Sequence, residues 1–293
     1  MKKQGKKRTV GMIAGILLLL LIAAGAALLV WKPDWRFLLK EQVASWFRNA
    51  DWEEREFGAS DLICGSFSEI EGAVDMQKND ALYLVNVNHP IPSGREFDLV
   101  CYKDTDVQMN ACITKAYSDL SEKVMEVTGE KLYVRSSYRD REAQAVVLQE
   151  NPDTATKPGA SEHETGLALD VYVSQYGGYG FLKSEAGQYV NRYCYEQGFV
   201  IRYPWGKSGS TGVVHEPWHI RYVGLPHAEL MYMRNQTLEE YLDSLEIGTF
   251  YQVGDQLITR QRADGEIRLP KEGKSWSVSE DGLGNLIFTG SYR

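Results

Sequence analysis

The longest uncharged stretch of the chain limits its architecture more than any other feature. Thr9 to Trp31 are 23 consecutive residues without a charged side chain. A helix rises about 1.5 Å per residue, so this stretch is long enough to cross a hydrocarbon core of roughly 30 Å. A cleavable signal peptide has a shorter apolar region, roughly 7 to 15 residues, although Ala24-Gly25-Ala26 resembles a small-residue cleavage site. The length therefore favours an uncleaved transmembrane anchor over residues 9–31.

The charges on either side of this segment predict its orientation. Residues 1–8 form a basic tail with five Lys and Arg and no acidic residue, which places the N-terminus in the cytoplasm. Everything after Trp31 is then expected outside the cell, held to the membrane by a single pass. The rest of the chain carries 27 Lys and Arg against 40 Asp and Glu, so it lacks the basic face of a nucleic-acid-binding protein.

The segment after the anchor is expected to be a juxtamembrane stalk, residues 32–75. It combines Trp35, Trp46 and Trp52 with acidic residues and small apolar clusters. Tryptophan favours the membrane surface, so this composition indicates an amphipathic helix next to the bilayer.

The patterns of a folded core begin at residue 76 and continue to 247. Strands and helices mix irregularly there, and neither a regular βαβ spacing nor a G-x-G-x-x-G loop occurs, so the predicted class is α+β. The expected elements are strands over 81–86 and 132–134 and helices over 106–128 and 140–149.

The last region, residues 248–293, is expected to be a small β appendage. Short alternating runs (FYQV, QLITRQ, EIRL, WSVS and LIFTG) are separated by turn signals such as Asp264-Gly265. Docking on the preceding domain is the favoured role, and ligand binding is the alternative.

Cys64, Cys101, Cys112 and Cys194 suit an oxidising exterior, where four thiols could pair in three ways. Cys101 and Cys112 could close a short loop, but buried free thiols explain the sequence equally well. No C-x-x-C pair occurs, and no chemistry is predicted for the cysteines.

Histidines and carboxylates cluster in two short segments. His163 is followed seven residues later by Asp170, and Glu216 precedes His219 by three. Two imidazoles and a carboxylate fit a tetrahedral Zn²⁺ site that keeps a position open for water. Glu216 lies near this set without belonging to it, as a general base for metal-assisted hydrolysis must.

Spacing alone is weak support, because a lone His usually makes an ordinary surface or core hydrogen bond. The surroundings strengthen the interpretation. Glycines allow tight turns on both segments, and the residues after Gly166 alternate as a half-buried strand does. This pattern places Asp170 on the face opposite Leu167, Leu169, Val171 and Val173.

The chain carries three motifs in order: S-x-Y-R-x4-Q from Ser136, S-E-H-x-T-G-L-A-x-D from Ser161, and E-P-W-H-x-R-Y-V-G from Glu216. Together they resemble the VanY-type D-alanyl-D-alanine carboxypeptidases. These are zinc peptidases of the LAS group, named for lysostaphin, the D-Ala-D-Ala peptidases and hedgehog. The resemblance runs from about Ala81 to Leu245 and includes V-N-x-x-x-P, G-F-x-x-R-Y-P and L-E-E-Y-L. It implies a LAS-type domain with a small antiparallel sheet.

The resemblance also implies roles for individual residues. An arginine beside zinc can polarise the scissile carbonyl and pair with a carboxylate, which is the role implied for Arg139. Ser137 and His215 depart from the commonest family residues, and neither is a predicted ligand. The implied roles are Zn²⁺ ligands His163, Asp170 and His219, catalytic base Glu216, and substrate-binding residues Arg139, Gln144 and Ser161.

The predicted function is a membrane-anchored zinc carboxypeptidase that removes the C-terminal D-alanine of peptidoglycan stem peptides or of their lipid-linked precursor. An L,D-carboxypeptidase or a wall endopeptidase with the same zinc machinery remains open, because specificity resides in pocket shape. A non-catalytic wall-binding protein is disfavoured, since each implied zinc-site residue is present.

Overall fold

The computed structural model of the chain describes residues 32–152 and 155–292. The predicted cytoplasmic tail, residues 1–8, and the predicted transmembrane anchor, residues 9–31, lie outside the described residues. Within the described ranges, no helix has both the length and the hydropathy that crossing a bilayer requires. The chain divides into two units, residues 1–46 and 47–293.

Helix α1 (Pro33–Ser45) is the described element of the first unit. Proline suits its first turn, where backbone N–H groups have no partner within the helix. Trp35, Leu39 and Val43 are exposed and lie four residues apart, so they share one face. The helix occupies the first part of the segment predicted to be a stalk.

The second unit is built from short helices and strands. Its helices are α2 (Phe67–Ala73), α3 (Thr114–Thr128), α4 (Arg141–Glu150), α5 (Glu185–Tyr193), α6 (Ser208–Thr211), α7 (His227–Met233) and α8 (Leu238–Ser244). Its 3-10 helices are Ala59–Asp61, Ala111–Ile113, Glu162–Thr165, Gly178–Lys183 and Cys194–Gln197. Its strands are β1 (Glu53–Arg55), β2 (Leu62–Gly65), β3 (Met76–Asn79), β4 (Leu99–Cys101), β5 (Gln108–Asn110), β6 (Tyr133–Ser136), β7 (Ala168–Tyr172), β8 (Phe199–Ile201), β9 (His219–Tyr222), β10 (Phe250–Val253), β11 (Gln256–Arg262), β12 (Ile267–Pro270), β13 (Lys274–Glu280) and β14 (Asn285–Ser291).

A four-stranded antiparallel sheet in the order β6-β7-β9-β8 lies at the centre of the first part of this unit. Leu169 and Val171 of β7 pack into a core with Leu120 and Val124 of α3. The α+β class and the small antiparallel sheet expected from the sequence are therefore present. The expected strand at 132–134 and helix at 140–149 correspond to β6 and α4.

The helix expected over 106–128 is shorter than predicted. The chain first forms β5, which pairs with β4, and then a 3-10 turn, so α3 begins only at Thr114. The helix begins late because the side chain of Asn110 accepts a hydrogen bond from the backbone N–H of Cys112 and caps the 3-10 turn that precedes α3.

A six-stranded sheet in the order β1-β10-β11-β14-β13-β3 forms the second part of the unit. Its neighbours are antiparallel except for the parallel pair of β13 and β3. The five C-terminal runs expected to be strands are β10 to β14, of which β12 pairs with β2 in a separate ladder. The structure differs from the predicted stalk here, because β1, β2 and β3 bring residues 53–79 into the same β structure as residues 248–293.

The strand expected over 81–86 is absent, and this prediction was wrong. Residues 81–85 are buried, but their backbone groups bond to side chains and single backbone atoms instead of a neighbouring strand. The backbone N–H of Leu82 donates to Ser279 Oγ, and that of Leu84 donates to the carbonyl oxygen of Asp281. The apolar pattern reflects burial between the two parts of the unit.

The β structure docks on the rest of the unit, as the sequence favoured. One apolar cluster contains Leu84, Val223 and Leu242 from the first part together with Ile258 and Ile287 from the sheet. His227 joins the parts as well. Its Nδ1 lies 2.6 Å from the Tyr241 hydroxyl oxygen and its Nε2 lies 2.9 Å from Thr289 Oγ1. Burial lowers the pKa of His227 to about 3, so this residue is a neutral structural bridge.

The four cysteines are free thiols. Cys64 and Cys101 are exposed, Cys112 is half-buried and Cys194 is buried. Burial raises the pKa of Cys112 to about 12, so this thiol is not activated for nucleophilic chemistry.

Candidate metal and catalytic site

His163 is presented by the 3-10 turn Glu162–Thr165, which ends at Gly166 in the left-handed conformation. A side chain at Gly166 would collide with Leu99 and with the backbone of Asn110, so only glycine fits this approach. His163 Nδ1 lies 2.8 Å from the carbonyl oxygen of Ser137. A carbonyl oxygen only accepts hydrogen bonds, so Nδ1 carries the proton and Nε2 keeps a free lone pair.

Asp170 and His219 face each other across the register of β7 and β9. Asp170 Oδ1 lies 3.0 Å from His219 Nδ1, and Asp170 Oδ2 lies 3.4 Å from His163 Nε2. The ligand atoms of the three residues all lie within 4.8 Å of one another. Two imidazole nitrogens and one carboxylate oxygen at this spacing are a donor set that suits zinc, so the residues predicted as ligands meet in one place.

The charges of the cluster are strongly perturbed. Burial opposes ionisation of Asp170, but the two imidazoles outweigh it and hold the pKa of this carboxyl well below its usual range. Burial lowers the pKa of His163. Burial also disfavours protonation of His219, but the neighbouring carboxylates of Asp170 and Glu162 outweigh burial and raise its pKa to about 9.

Glu216 lies in the tight turn before β9, beside the cluster but outside the ligand set. Its Oε2 is 3.8 Å from His219 Nδ1, and the backbone N–H of His219 donates to its carbonyl oxygen at 3.2 Å. Burial raises the pKa of Glu216 above its ordinary value. A carboxylate with a raised pKa is a better proton acceptor, which is what a general base requires.

These residues line one pocket with a volume of about 450 Å³. Arg139 lies on its wall, where its backbone N–H donates to the carbonyl oxygen of His163 and its Nη1 donates to Ser136 Oγ at 3.0 Å. Arg139 Nε and Gln144 Oε1 are buried and have no hydrogen-bond partner among the described residues. The predicted residues that line this pocket are Arg139, Gln144, Ser161, His163, Asp170, Glu216 and His219.

Several residues of the site were missed by the sequence reasoning. Tyr203 and Trp218 also line the pocket, and the Tyr203 ring lies 4.9 Å from the imidazole of His219. Both belong to motifs already quoted, G-F-x-x-R-Y-P and E-P-W-H, so motif membership was the available signal. His215 is half-buried, and burial lowers its pKa to about 4. Ser137 contacts His163 through its backbone oxygen, a bond that any residue there can make.

Comparisons with known proteins agree with this geometry. Residues 106–225 match the family model described as VanY, D-alanyl-D-alanine carboxypeptidase. A D-alanyl-D-alanine carboxypeptidase of Enterococcus faecium is 37% identical over 147 residues, which are 49% of this chain and 46% of that protein. The chain therefore matches less than half the length of that relative.

Two further proteins are matched over nearly their whole length. The bifunctional D-Ala-D-Ala dipeptidase and D-Ala-D-Ala carboxypeptidase VanXYC of Enterococcus gallinarum is 34% identical over 185 residues, which are 57% of this chain and 95% of that protein. A solved structure of a mutant of the vancomycin resistance D,D-pentapeptidase VanY, in complex with Zn(II), is 30% identical with a TM-score of 0.50. That match covers 55% of this chain and 98% of the solved one.

Proposed function

This chain belongs to the VanY family of D-alanyl-D-alanine carboxypeptidases, and on that premise we propose that it is a zinc D,D-carboxypeptidase that removes the C-terminal D-alanine of peptidoglycan stem peptides. One observation carries the proposal. The His163, Asp170 and His219 donor atoms converge within 4.8 Å, and Glu216 and Arg139 line the same pocket. This set of groups supplies a metal site, a base and an anion-binding cation in one place.

The donor chemistry of the cluster fits zinc. His163 Nε2 carries a free lone pair because Nδ1 is bonded to a carbonyl, and Asp170 stays ionised because its pKa is held low. These three residues would hold the ion. Zinc in such a site supplies Lewis acidity, which makes a water molecule more acidic and polarises a carbonyl group.

Glu216 is proposed to take the proton of the attacking water. It is close to the ligand cluster but is not needed as a ligand, and its raised pKa suits a group that gains a proton and then passes it on. In peptide hydrolysis the acceptor of that second transfer is the leaving amine of the released D-alanine.

Arg139 is proposed to bind the substrate oxygen atoms. Its guanidinium is partly desolvated, which lowers its pKa. Desolvation also strengthens the hydrogen bonds that it can donate to an oxyanion or a carboxylate. Gln144 is fixed by the hydrogen bond from Nε2 to the carbonyl oxygen of Thr156, so its free Oε1 is held beside the pocket. Ser161 adds a hydroxyl to the same wall.

A single experiment tests the proposal against its alternatives. The purified chain is incubated with defined muropeptides that end in D-Ala-D-Ala or in a single D-Ala, and the released residue is identified by mass spectrometry. Release of one D-alanine from the pentapeptide supports a D,D-carboxypeptidase. Release from the tetrapeptide alone indicates an L,D-carboxypeptidase, cleavage within a cross-link indicates an endopeptidase, and binding without cleavage contradicts an enzyme.

We also propose that the chain is a single-pass membrane protein with its catalytic domain outside the cell. The uncharged segment 9–31 and the basic residues before it support this topology. The exposed apolar face of α1, with Trp35, Leu39 and Val43, suits a membrane surface directly after such an anchor. Protease added to intact protoplasts should digest the catalytic domain, and full protection of that domain would contradict the topology.

A further inference from the structure

Glu162, the residue before His163, is a charged side chain buried without access to solvent. Its Oε1 accepts hydrogen bonds from Arg202 Nε at 2.7 Å and from Arg221 Nη1 at 2.9 Å. Both arginines are fully buried as well. Burial would raise the pKa of Glu162, but the two guanidinium groups outweigh it and hold the pKa well below its usual range. Two guanidinium groups on one oxygen therefore hold Glu162 as a carboxylate.

The second oxygen of Glu162 faces the zinc cluster. Glu162 Oε2 lies 3.6 Å from His219 Nε2, which is the imidazole nitrogen away from Asp170. Both atoms are buried, and neither has a hydrogen-bond partner among the described residues. Buried polar atoms without hydrogen-bond partners are costly. A small shift of either side chain would bring these two atoms within hydrogen-bond distance, and such a bond would satisfy both of them.

We propose that Glu162 is a positioning residue for the metal site: its Oε2 accepts the Nε2–H of His219 and so directs the Nδ1 lone pair of His219 to the zinc ion. This inference rests on the zinc site of the proposed function and adds a residue to it. A ligating histidine that donates its other N–H to a carboxylate has a fixed tautomer and ring orientation and is a more basic ligand. The site then uses Nε2 of His163, whose Nδ1 is bonded to Ser137, and Nδ1 of His219.

Because the two arginines occupy Oε1, the proposed hydrogen bond from His219 Nε2–H requires a carboxylate at position 162. Oε1 is fully used by Arg202 and Arg221, which leaves Oε2 for His219. In Glu162→Gln the remaining oxygen is needed by the two guanidinium groups, so the NH₂ group is turned toward His219 Nε2. That group donates and cannot accept the imidazole proton, so the substitution favours the wrong tautomer.

Glu239 provides a matched control. It accepts hydrogen bonds from Arg202 Nη1 at 2.8 Å, from Arg202 Nη2 at 2.6 Å and from Asn86 Nδ2 at 3.1 Å, and none of these bonds involves His219. Two carboxylates and two arginines form this cluster, so Glu162→Gln and Glu239→Gln each remove one negative charge from it. Only Glu162→Gln alters the group that faces His219.

The test compares zinc dissociation constants of the whole chain by competition with a chromogenic chelator. We expect Glu162→Gln to raise the constant roughly 10- to 100-fold and Glu239→Gln to change it by less than about threefold. Equal effects of both variants would show that Glu162 acts only through the charge of the cluster and would overturn the inference. If the wild-type chain binds no zinc, the proposed function fails as well, so the two failures are distinguishable.

A spectroscopic measurement on the wild-type protein needs no variant to fold. The imidazole ¹⁵N shifts of His219 in the zinc-loaded chain are expected to show a protonated Nε2 and a metal-bound Nδ1. A metal-bound Nε2 with a protonated Nδ1 would overturn the inference even if Glu162→Gln were too unstable to purify.

Discussion

Two glycines with the same backbone conformation allow a direct test of how the turn carrying His163 is held. Gly166 and Gly129 have φ values of +69° and +70°. A Cβ on Gly166 would lie 2.6 Å from Leu99 Cδ2 and 2.7 Å from the backbone nitrogen of Asn110. A Cβ on Gly129 would have no atom within 4 Å. The pair therefore separates the cost of the conformation from the cost of the contact.

The expected magnitudes follow from these distances. An alanine in the left-handed conformation costs about 1–2 kcal/mol, and this applies to both Gly129→Ala and Gly166→Ala. Overpacking a close contact adds about 1–3 kcal/mol of destabilisation. Only Gly166→Ala has this extra cost, because the Asn110 backbone cannot rotate away. The loss of entropy in the unfolded chain is the same for both substitutions and cancels in the comparison.

Thermal and denaturant unfolding of the metal-free variants measure the difference. We expect Gly166→Ala to lower the free energy of unfolding by about 1–3 kcal/mol more than Gly129→Ala, which is roughly 2–12 °C in Tm. Zinc affinity should fall only in Gly166→Ala, since Gly166 ends the turn that positions His163. Equal destabilisation by both substitutions would refute the argument that packing at Gly166 fixes this turn.

The other predictions concern the site itself. Glu216→Gln should keep its zinc and lose roughly 10²- to 10⁴-fold in kcat, since it removes the base and leaves the ligands; wild-type turnover would require another base. Arg139→Lys should lower kcat/KM roughly ten- to a thousand-fold at unchanged zinc content, because an ammonium group lacks the paired planar donors of arginine. Unaltered kinetics on a D-Ala-terminated peptide would remove Arg139 from substrate binding. In the metal-free protein we expect His219 to be protonated at neutral pH, because the carboxylates of Asp170 and Glu162 outweigh burial and raise its pKa to about 9. Zinc binding should therefore release about one proton from it at about pH 7 and tighten as pH rises toward 9, which calorimetry in buffers of different ionisation enthalpy can measure. Zinc affinity that does not change with pH would show that His219 is neutral before the metal binds.

The local parts of the structure were predictable from the sequence. The C-terminal strands alternate with a period of two between clear turn signals, so β10 to β14 lie where the pattern placed them. Helix α4 follows Asp140, whose side chain caps the N–H of Ala143. The ligand set was expected from the motif resemblance and not from spacing, because the spacing of His163 and Asp170 is weak support by itself and His219 lies 49 positions after Asp170 in the chain.

The parts that depend on distant partners were not predictable. Strand β1 is three exposed charged residues, Glu53–Arg55, and only its pairing with β10 makes it a strand. The segment at residues 81–86 resembles a strand by its apolar residues, yet Arg221 Nη2 binds two of its carbonyl oxygens in place of a neighbouring strand. The ion pairs of Glu162 were not predictable for the same reason, since Arg202 and Arg221 are 40 and 59 positions away in the chain.

The most direct test of the central claim is the product formed from a D-Ala-D-Ala-terminated muropeptide. Three samples are incubated with the pentapeptide: the zinc-loaded chain, a chelator-treated chain and the Glu216→Gln variant. The products are identified by mass spectrometry. The zinc site described above predicts the loss of one alanine in the first sample, little or none in the other two, and recovery when zinc is returned to the chelated protein. Equal cleavage in all three samples, or no cleavage by the zinc-loaded chain, would contradict the claim that His163, Asp170, His219 and Glu216 form a zinc carboxypeptidase site.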